Sequence, residues 1–197
     1  MESNPNVKYW QEIWANFKAG DRRAFESIYN EFVDVLYSYG SKITSDKVLL
    51  EDSIQDLFID VYRYGSSIRQ PEYLEFYLFK SLKRIIIRKL KEKSKTLEFT
   101  NESFEQFNLT FSIEEISDKE ILEKNILLLQ NEIKSLDAQK RELLFLKFNS
   151  GLTYTEIGEM LNLKPDTVKK QVQRLLKHIQ NRLGGTMIEF VLTFRVL

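Results

Sequence analysis

Eight basic residues lie between positions 80 and 95, against one acid, Glu92. Five of them recur every three or four residues and would share one side of a helix: Lys80, Arg84, Arg88, Lys91 and Lys95. Neighbouring cations repel one another unless an anion balances them, and a row of phosphates supplies that anion. The segment therefore favours contact with a nucleic-acid backbone, whereas a solvated helix face and a membrane-surface helix are alternative interpretations.

Aromatic residues accompany this basic segment: Tyr73, Phe76, Tyr77 and Phe79. Exposed rings at these positions could stack on unpaired bases. Packing into a helical core is the better interpretation for most of them.

A second basic stretch, from Lys164 to Arg182, contains six Lys or Arg residues and one acid, Asp166. It follows a pattern typical of a helix-turn-helix. Thr153 and Glu156 predict a capping box at the start of a short helix, which runs to Leu161. A tight turn follows, and Pro165 begins the last helix. Gly158 lies where the two helices could approach closely.

The last helix is predicted to have two distinct faces. The apolar face consists of Val168, Val172, Leu175, Leu176, Ile179 and Leu183. The opposite face consists of Asp166, Lys170, Arg174, Lys177 and Asn181. A helix of this kind after a short turn can enter a major groove, so we favour DNA binding over an ordinary helical hairpin.

Charge is segregated along the chain although the formal net charge is 0. Between the two basic stretches, residues 98–123 contain eight acids and one base, Lys119. A sequence selected only for solubility would interleave the two signs. The segregation therefore indicates polyanion contact at two separate places.

The composition argues against an enzyme. The chain has no Cys and one His, His178, which excludes a thiol nucleophile, a zinc-thiolate site and a multi-histidine metal site. No carboxylate pair stands beside a nucleophile or a Gly-rich phosphate loop. We therefore predict no catalytic residue, no metal and no cofactor, and we expect His178 to be a solvated side chain.

The sequence gives no signal for a membrane or for export. Residues 1–19 contain charges and lack a continuous apolar run, and no stretch approaches the roughly 20 apolar residues of a membrane span. We expect a cytoplasmic protein that does not insert into a membrane.

The elements that must position the basic segments are helices, since Gly and Pro are few and Leu, Ile, Lys and Glu are abundant. The predicted fold is all-α, with two helical domains joined by a flexible linker. Residues 1–95 form the first domain. Its predicted helices contain Trp10 to Phe17, Arg22 to about Lys42, Leu49 to Tyr64, and a segment with Pro71 in its first turn that reaches Lys93.

Two of these helices have a predicted inward stripe. In the second it is Phe25, Ile28, Tyr29, Phe32, Val35, Leu36 and Tyr39. In the third it is Ile54, Leu57, Phe58, Val61 and Tyr62.

The rest of the chain has three predicted parts. Residues 96–118 are an acidic flexible linker, and residues 119–183 are the helix-turn-helix domain. This second domain has one helix through Ile121, Ile126, Leu129 and Ile133 and another over Arg141 to Phe148. Residues 184–197 form an apolar tail of unknown role.

Three segments, in this order and at these separations, resemble the sigma-70 family of bacterial RNA polymerase sigma factors, of the small extracytoplasmic-function (ECF) type. Glu51 to Tyr62 is similar to region 2.2, and Tyr77 to Arg84 is similar to region 2.3. Gly151 to Lys169 is similar to region 4.2. The resemblance implies a sigma factor that binds core RNA polymerase, directs it to specific promoters and assists promoter opening.

The resemblance also implies roles for single residues. The positions that dock on the beta-prime clamp helices of the polymerase are Asp52, Gln55, Asp56 and Phe58. The positions that face the −10 region are Lys80, Lys83, Arg84, Arg88 and Lys91. The recognition-helix positions that face the −35 element are Thr167, Lys169, Lys170, Gln173, Arg174 and Lys177. The implied partners are core RNA polymerase, through the beta-prime clamp helices and the beta flap, and promoter DNA, with an anti-sigma factor as a further partner common in the family.

Two departures from the family pattern add positive charge. Arg84 and Arg88 stand where many members carry Asn and Asp, and they favour phosphate attraction where the unpaired strand would pass. The main alternative is a stand-alone helix-turn-helix regulator with an N-terminal effector or dimerisation domain. It explains residues 151–183 equally well, but it does not explain the pattern from Asp52 to Phe58.

Overall fold

The computed structural model describes residues 5–65, 74–93, 107 and 129–183, and every described element of secondary structure is helical. The predicted all-α class is therefore confirmed. The chain divides into two compact units, Met1–Thr100 and Asn101–Leu197. The predicted domain bounds at 95 and 119 stay predictions. Pro71, Tyr73, Lys95, Ile121, Ile126, the tail 184–197 and the predicted linker apart from Phe107 lie outside the described residues.

The first unit contains four helices: α1 (Pro5–Lys18), α2 (Arg22–Ile43), α3 (Lys47–Tyr64) and α4 (Leu74–Lys93). Helix α2 packs against α1, α3 and α4, and α3 also packs against α4. Their apolar stripes form one core, whose fully buried members include Ile28, Leu36, Leu57, Leu78 and Ile86. Trp10 and Trp14 of α1 also enter this core, with 9% and 1% of their surface exposed.

Short polar side chains begin α2 and α3. The carboxylate of Asp21 accepts a hydrogen bond from the Arg23 amide at 2.9 Å. The carboxylate of Asp46 accepts one from the Leu49 amide at 3.1 Å. Each bond satisfies an amide that has no partner within its helix. Because Asp46 is the cap, α3 begins two residues before the predicted start at Leu49.

Two tyrosines depart from the predicted inward stripes. Tyr29 is 41% exposed and Tyr62 is 52% exposed. Both lie at the edges of their stripes, where one side of a ring can pack while the hydroxyl stays in water. The Tyr62 ring meets Phe25 edge-on at 5.1 Å, and the Tyr29 ring lies 4.7 Å from Phe58. Their rings therefore form a surface rather than a core.

The second unit contains a helical segment at 129–135 and three further helices: α5 (Ala138–Phe148), α6 (Tyr154–Leu161) and α7 (Pro165–Leu183). The bounds of α6 and α7 match the prediction. Helix α5 begins three residues before the predicted Arg141, because Asp137 caps it by accepting from the Lys140 amide at 2.8 Å. Its core includes Leu143, Phe145, Leu146, Ile157 and Val168. Phe107, from the predicted linker, is also buried in this unit at 4% exposure.

Among the described helices, none is long and apolar enough to cross a membrane.

Candidate nucleic-acid interfaces and docking groove

Helix α4 presents a basic face to solvent and an apolar face to the core, as its spacing predicts. Four cations on the basic face are exposed: Lys80, Arg84, Arg88 and Lys91. Leu78, Leu82, Ile85 and Ile86 are buried on the other side. Lys83, the remaining predicted −10 residue, is half-buried. The structure thus brings four of the five predicted −10 residues onto one accessible surface, which we call the α4 basic face.

Two further cations of α4 are neutralised by aspartates of the first unit. The Lys89 ammonium lies 2.7 Å from the Asp56 carboxylate, and the Lys93 ammonium lies 2.6 Å from the Asp46 carboxylate. The hydrogen bond from Lys93 lowers the pKa of Asp46, with a further contribution from the Leu49 amide. These ion pairs attach α4 to the start and the middle of α3, and they leave positive charge concentrated on the α4 basic face.

The aromatic residues of α4 have mainly structural positions. Phe79 is 1% exposed and meets Tyr39 edge-on at 4.9 Å, so it belongs to the core. Phe76 and Tyr77 are half-buried. Burial raises the pKa of Tyr77, and the Lys80 ammonium lies 5.3 Å from the centre of the Phe76 ring. Only the half-buried rings remain accessible enough to meet a base.

A groove of about 870 Å³ lies between α2 and α3. Phe58, 4% exposed, lies at its base, while the more exposed Asp52 and Gln55 line it from α3. Of the four predicted polymerase-binding residues, these three are brought together. Asp56 is not among the lining residues and pairs with Lys89 of α4 instead. We call this feature the α2–α3 groove.

Several residues of the α2–α3 groove were not predicted. Tyr29, Tyr62 and Ile59 are more than a third exposed, and Arg63 and Glu51 also line the groove. Because the apolar stripes placed Tyr29 and Tyr62 in the core, the sequence did not predict this surface. Their location at the edge of each apolar stripe was the available signal, since a tyrosine there can turn its hydroxyl to water. The groove combines aromatic walls with carboxylates, a composition suited to a protein partner that carries basic residues.

The predicted capping box of the helix-turn-helix is present. The Glu156 amide donates to the Thr153 hydroxyl oxygen at 3.3 Å, and the Thr153 amide donates to the Glu156 carboxylate at 2.7 Å. Glu156 is 6% exposed, and the bonds from the Thr153 amide and hydroxyl to its Oε2 compensate in part for removing the carboxylate from water, whereas its Oε1 is buried without a hydrogen bond to a described residue. The capping box fixes where α6 begins.

The turn between α6 and α7 depends on a close backbone approach. Asn162 ends α6 in the left-handed conformation, with φ of 56°. A Cβ atom on Gly158 would lie 2.5 Å from the Leu163 carbonyl oxygen, and the Leu163 amide donates to the Gly158 carbonyl at 2.8 Å. The predicted close approach at Gly158 is confirmed, and it occurs against the turn itself.

A lysine fastens the loop that precedes α6. The Lys147 ammonium donates to the Leu152 carbonyl at 3.2 Å and lies 4.8 Å from the centre of the Tyr154 ring. Burial lowers the pKa of Lys147, and the nearby Glu156 opposes that shift. These contacts hold the loop against the end of α5 and so help to orient the helix-turn-helix.

Helix α7 has the two predicted faces. Val168, Val172, Leu175 and Ile179 are buried. The predicted −35 residues Lys169, Lys170, Gln173, Arg174 and Lys177 are exposed, and Thr167 is half-buried near the start of the helix. The side chain of Leu183 lies outside the described part of the chain. We call the exposed set the α7 basic face.

His178 is exposed, as expected of a solvated side chain, and it also has a partner. Its Nε2 lies 3.2 Å from Oε2 of Glu132, and Nε of Arg182 lies 3.5 Å from Oε1 of the same carboxylate. Glu132 belongs to the helical segment 129–135, so it joins that segment to the last two turns of α7. The prediction missed this contact because the partners are 46 residues apart.

Within the described residues, no group of three or more acids and histidines could hold a metal ion.

Comparison with known proteins supports the family resemblance of the chain. The family model described as "Sigma-70, region 4" matches residues 126–179, which include α5, α6 and most of α7. The ECF RNA polymerase sigma factor SigW of Bacillus subtilis (strain 168) is 24% identical over 172 residues, covering 84% of this chain and 92% of that protein. Both findings support membership of the sigma-70 family, as an ECF-type member. The predicted resemblance is thereby confirmed.

The family match includes the helix-turn-helix of the second unit. Region 4 occupies the second unit, where the capping box, the Gly158 turn and the α7 basic face lie. The comparisons support a role in transcription initiation and do not favour the stand-alone regulator.

Proposed function

We propose that this sigma factor binds core RNA polymerase through the α2–α3 groove, recognises the −35 element with the α7 basic face, and holds the opened −10 strand on the α4 basic face. The observation that carries the proposal is the presence of a basic face in each unit, together with an acidic aromatic groove in the first unit. It acts by binding rather than by catalysis. Its likeness to SigW, whose name describes an RNA polymerase sigma factor, supports this assignment.

The α2–α3 groove suits the beta-prime clamp helices of the polymerase. Asp52 and Gln55 supply exposed acceptors, and Phe58 supplies an apolar base to the groove. Because Phe58 is 4% exposed, its role is to support the shape of the groove with Tyr29 rather than to be the first contact. Tyr29 and Tyr62 extend the apolar area that a partner would cover. Exposed aromatic residues beside charged ones are typical of protein interfaces.

The two basic faces suit different parts of a promoter. On α7, Lys169, Lys170, Gln173 and Arg174 extend from the start of the helix, the part that enters a major groove in helix-turn-helix proteins. Arginine or lysine can contact the O6 and N7 atoms of guanine, or phosphate alone. On α4, Arg84 and Arg88 lie among other cations and attract the backbone of an unpaired strand.

A pull-down with purified bacterial core RNA polymerase tests the docking groove. The variant is the double change Asp52→Ala, Gln55→Ala, and the matched control is Asp60→Ala, an exposed acid of α3 that does not line the groove. We expect the double variant to retain less than about a tenth of the affinity, the loss of a typical interface hot spot. The control should bind as the unchanged protein does. Equal binding by all three proteins would refute the groove as the docking site.

In vitro transcription by the reconstituted holoenzyme tests the α7 basic face. Lys170→Ala, Arg174→Ala should lower promoter-specific transcript by about tenfold or more, because a specific base contact contributes about 1–3 kcal/mol. Lys134→Ala removes an exposed charge from the helical segment 129–135 and is the control. An equal loss in both variants would indicate a general charge effect and would count against recognition by α7.

The proposal includes two further partner contacts. The beta flap of the polymerase would bind the second unit, and an anti-sigma factor would cover the α2–α3 groove or a basic face. Binding of an anti-sigma protein that is weakened by Asp52→Ala, Gln55→Ala and unchanged by Asp60→Ala would support the groove as a shared site.

A further inference from the structure

The α2–α3 groove carries charges of both signs, and all of them come from α3. The charged residues that line it are Glu51, Asp52 and Arg63. All three are exposed, and none forms an ion pair with a described residue. The α2 side of the groove is uncharged and consists of Phe25, Tyr29, Val33 and Tyr37. A partner that fills the groove therefore meets charge only along α3.

The line of side chains along α3 has an acid at one end and a base at the other. Its members are spaced three, four and four residues apart, so they share one side of the helix: Asp52, Gln55, Ile59 and Arg63. All four are exposed. Asp52 and Arg63 are 11 residues apart, which is three turns and about 16 Å along the helix axis. At that distance the two charges do not neutralise each other in water, so each remains available to a partner.

Aromatic rings line the groove from its basic end to its middle. Tyr62, next to Arg63 in the sequence, meets the Phe25 ring edge-on at 5.1 Å. The Phe25 and Phe58 rings are 6.3 Å apart, and the Tyr29 ring lies 4.7 Å from Phe58. The four rings form one continuous cluster, of which Tyr29 and Tyr62 are exposed. Such a cluster can receive the apolar face of a helix.

We propose that the α2–α3 groove orients its partner by charge. The helix of core polymerase that fills the groove carries a basic residue at the Asp52 end, an acidic residue at the Arg63 end, and an apolar stretch between them. The proposal rests on the proposed function, in which the groove binds the beta-prime clamp helices, and it makes Arg63 a specificity-determining residue of that contact. A helix docked in the opposite direction would place like charges together at both ends, which disfavours that orientation.

A partner with a uniformly basic surface makes the opposite prediction for Arg63. Such a partner would be repelled by Arg63, so removal of that charge would strengthen binding. A partner that matches both ends of the groove loses an ion pair when Arg63 is removed, so binding would weaken. A cation in the last turn of α3 also complements the helix dipole, but this contributes to the stability of α3 and not to the affinity of the folded protein for a partner. The sign of the change in affinity therefore distinguishes the two kinds of partner.

Titration of purified bacterial core RNA polymerase against the full chain, labelled at its N-terminus with a fluorophore, measures this affinity without DNA. Arg63→Gln should weaken binding roughly fivefold or more, and Asp52→Asn should weaken binding as well. Arg63→Lys retains the charge and should keep most of the affinity. The double change Asp52→Arg, Arg63→Asp leaves the net charge unaltered and should bind more weakly than either single variant.

The matched control is Lys47→Gln, because Lys47 is an exposed cation of α3 that does not line the groove. Its affinity should equal that of the unchanged protein, and circular dichroism verifies that every variant is folded. If Arg63→Gln binds more tightly than the unchanged protein, or no differently from Lys47→Gln, the charge orientation is overturned and the groove remains the docking site. Failure of the unchanged protein to bind core polymerase would instead overturn the proposed function, and the charge orientation with it.

Discussion

The Lys89 ammonium and the Asp56 carboxylate form an ion pair of 2.7 Å that joins α4 to α3. It connects the helix that carries the α4 basic face to the helix that lines the α2–α3 groove. Asp56 therefore acts within the protein, and its negative charge reduces the positive potential near α4. The pair gives the helix proposed to dock on the polymerase a direct electrostatic influence on the helix proposed to hold DNA.

We expect Asp56→Asn to strengthen non-specific binding of single-stranded DNA while lowering stability only slightly. The pair is partly exposed, so its loss should lower the free energy of unfolding by at most about 1 kcal/mol. The freed Lys89 adds about one phosphate contact, which should steepen the dependence of log affinity on log salt concentration by about 0.7. Fluorescence anisotropy across a salt series measures this slope. Asp52→Asn is the control, because Asp52 lies on the same helix and forms no ion pair with a described residue; identical slopes would contradict the prediction.

Gly158→Ala should destabilise the second unit. The added Cβ would meet the Leu163 carbonyl oxygen at 2.5 Å, and a backbone atom cannot move aside as a flexible side chain can. Forced overpacking of this kind lowers the free energy of unfolding by about 1–3 kcal/mol. Urea denaturation followed by circular dichroism provides the measurement. Thr155→Ala, an exposed change in the same helix, should have a small effect, and an equally small effect for Gly158→Ala would show that the turn tolerates the methyl group.

Thr153→Ala should weaken the start of α6. The variant loses the hydroxyl that accepts from the Glu156 amide and also donates to the Glu156 carboxylate at 2.6 Å. Loss of such a cap lowers the free energy of unfolding by about 0.5–2 kcal/mol. Thr153→Ser keeps the hydroxyl and should remain within a few tenths of a kcal/mol of the unchanged protein. Thermal denaturation compares the three proteins, and equal losses for Ala and Ser would assign the effect to the methyl group instead of the cap.

Asp46 should contribute to loss of stability in acid. Its pKa is lowered in the folded protein, chiefly by the hydrogen bond from Lys93, so the folded state binds the proton less readily than the unfolded chain does. This contribution is present above the ordinary pKa of an aspartate, about 4, and is lost as pH falls through the lowered value. Asp46→Asn retains a side-chain oxygen for the cap but does not titrate.

Urea denaturation at pH 7 and at several values below pH 4 tests this linkage. The difference in stability between the unchanged protein and Asp46→Asn should shrink as the pH decreases. A constant difference across that range would contradict a role for Asp46.

Local features of the sequence predicted much of the fold. Asp21, Thr153 and Glu156 bond to amides within a few residues, and Pro165 begins α7, so their roles follow from short-range spacing. The apolar stripes likewise predicted the helices and the two basic faces. The starts of α3 and α5 were missed by two and three residues because Asp46 and Asp137 were not recognised as caps.

Contacts between distant parts of the chain were not predictable in the same way. The pairing of His178 with Glu132 and the burial of Phe107 depend on which helices become neighbours. The α2–α3 groove was not predicted either. Tyr29 and Tyr62 lie at the edges of their apolar stripes, and the helical period of apolar residues does not distinguish a buried edge from an exposed one. Asp56 and Asp52, four residues apart, have different surroundings because α4 passes beside only one of them.

The location of the tryptophans provides an intrinsic optical reporter. Trp10 and Trp14 are the two tryptophans of the chain, and both are buried on α1 in the first unit. A red shift in tryptophan emission will therefore report exposure of that unit's core, whereas the second unit contributes no indole signal. Comparison of emission with far-ultraviolet circular dichroism, which detects helices in both units, distinguishes concerted melting from sequential melting without an added dye.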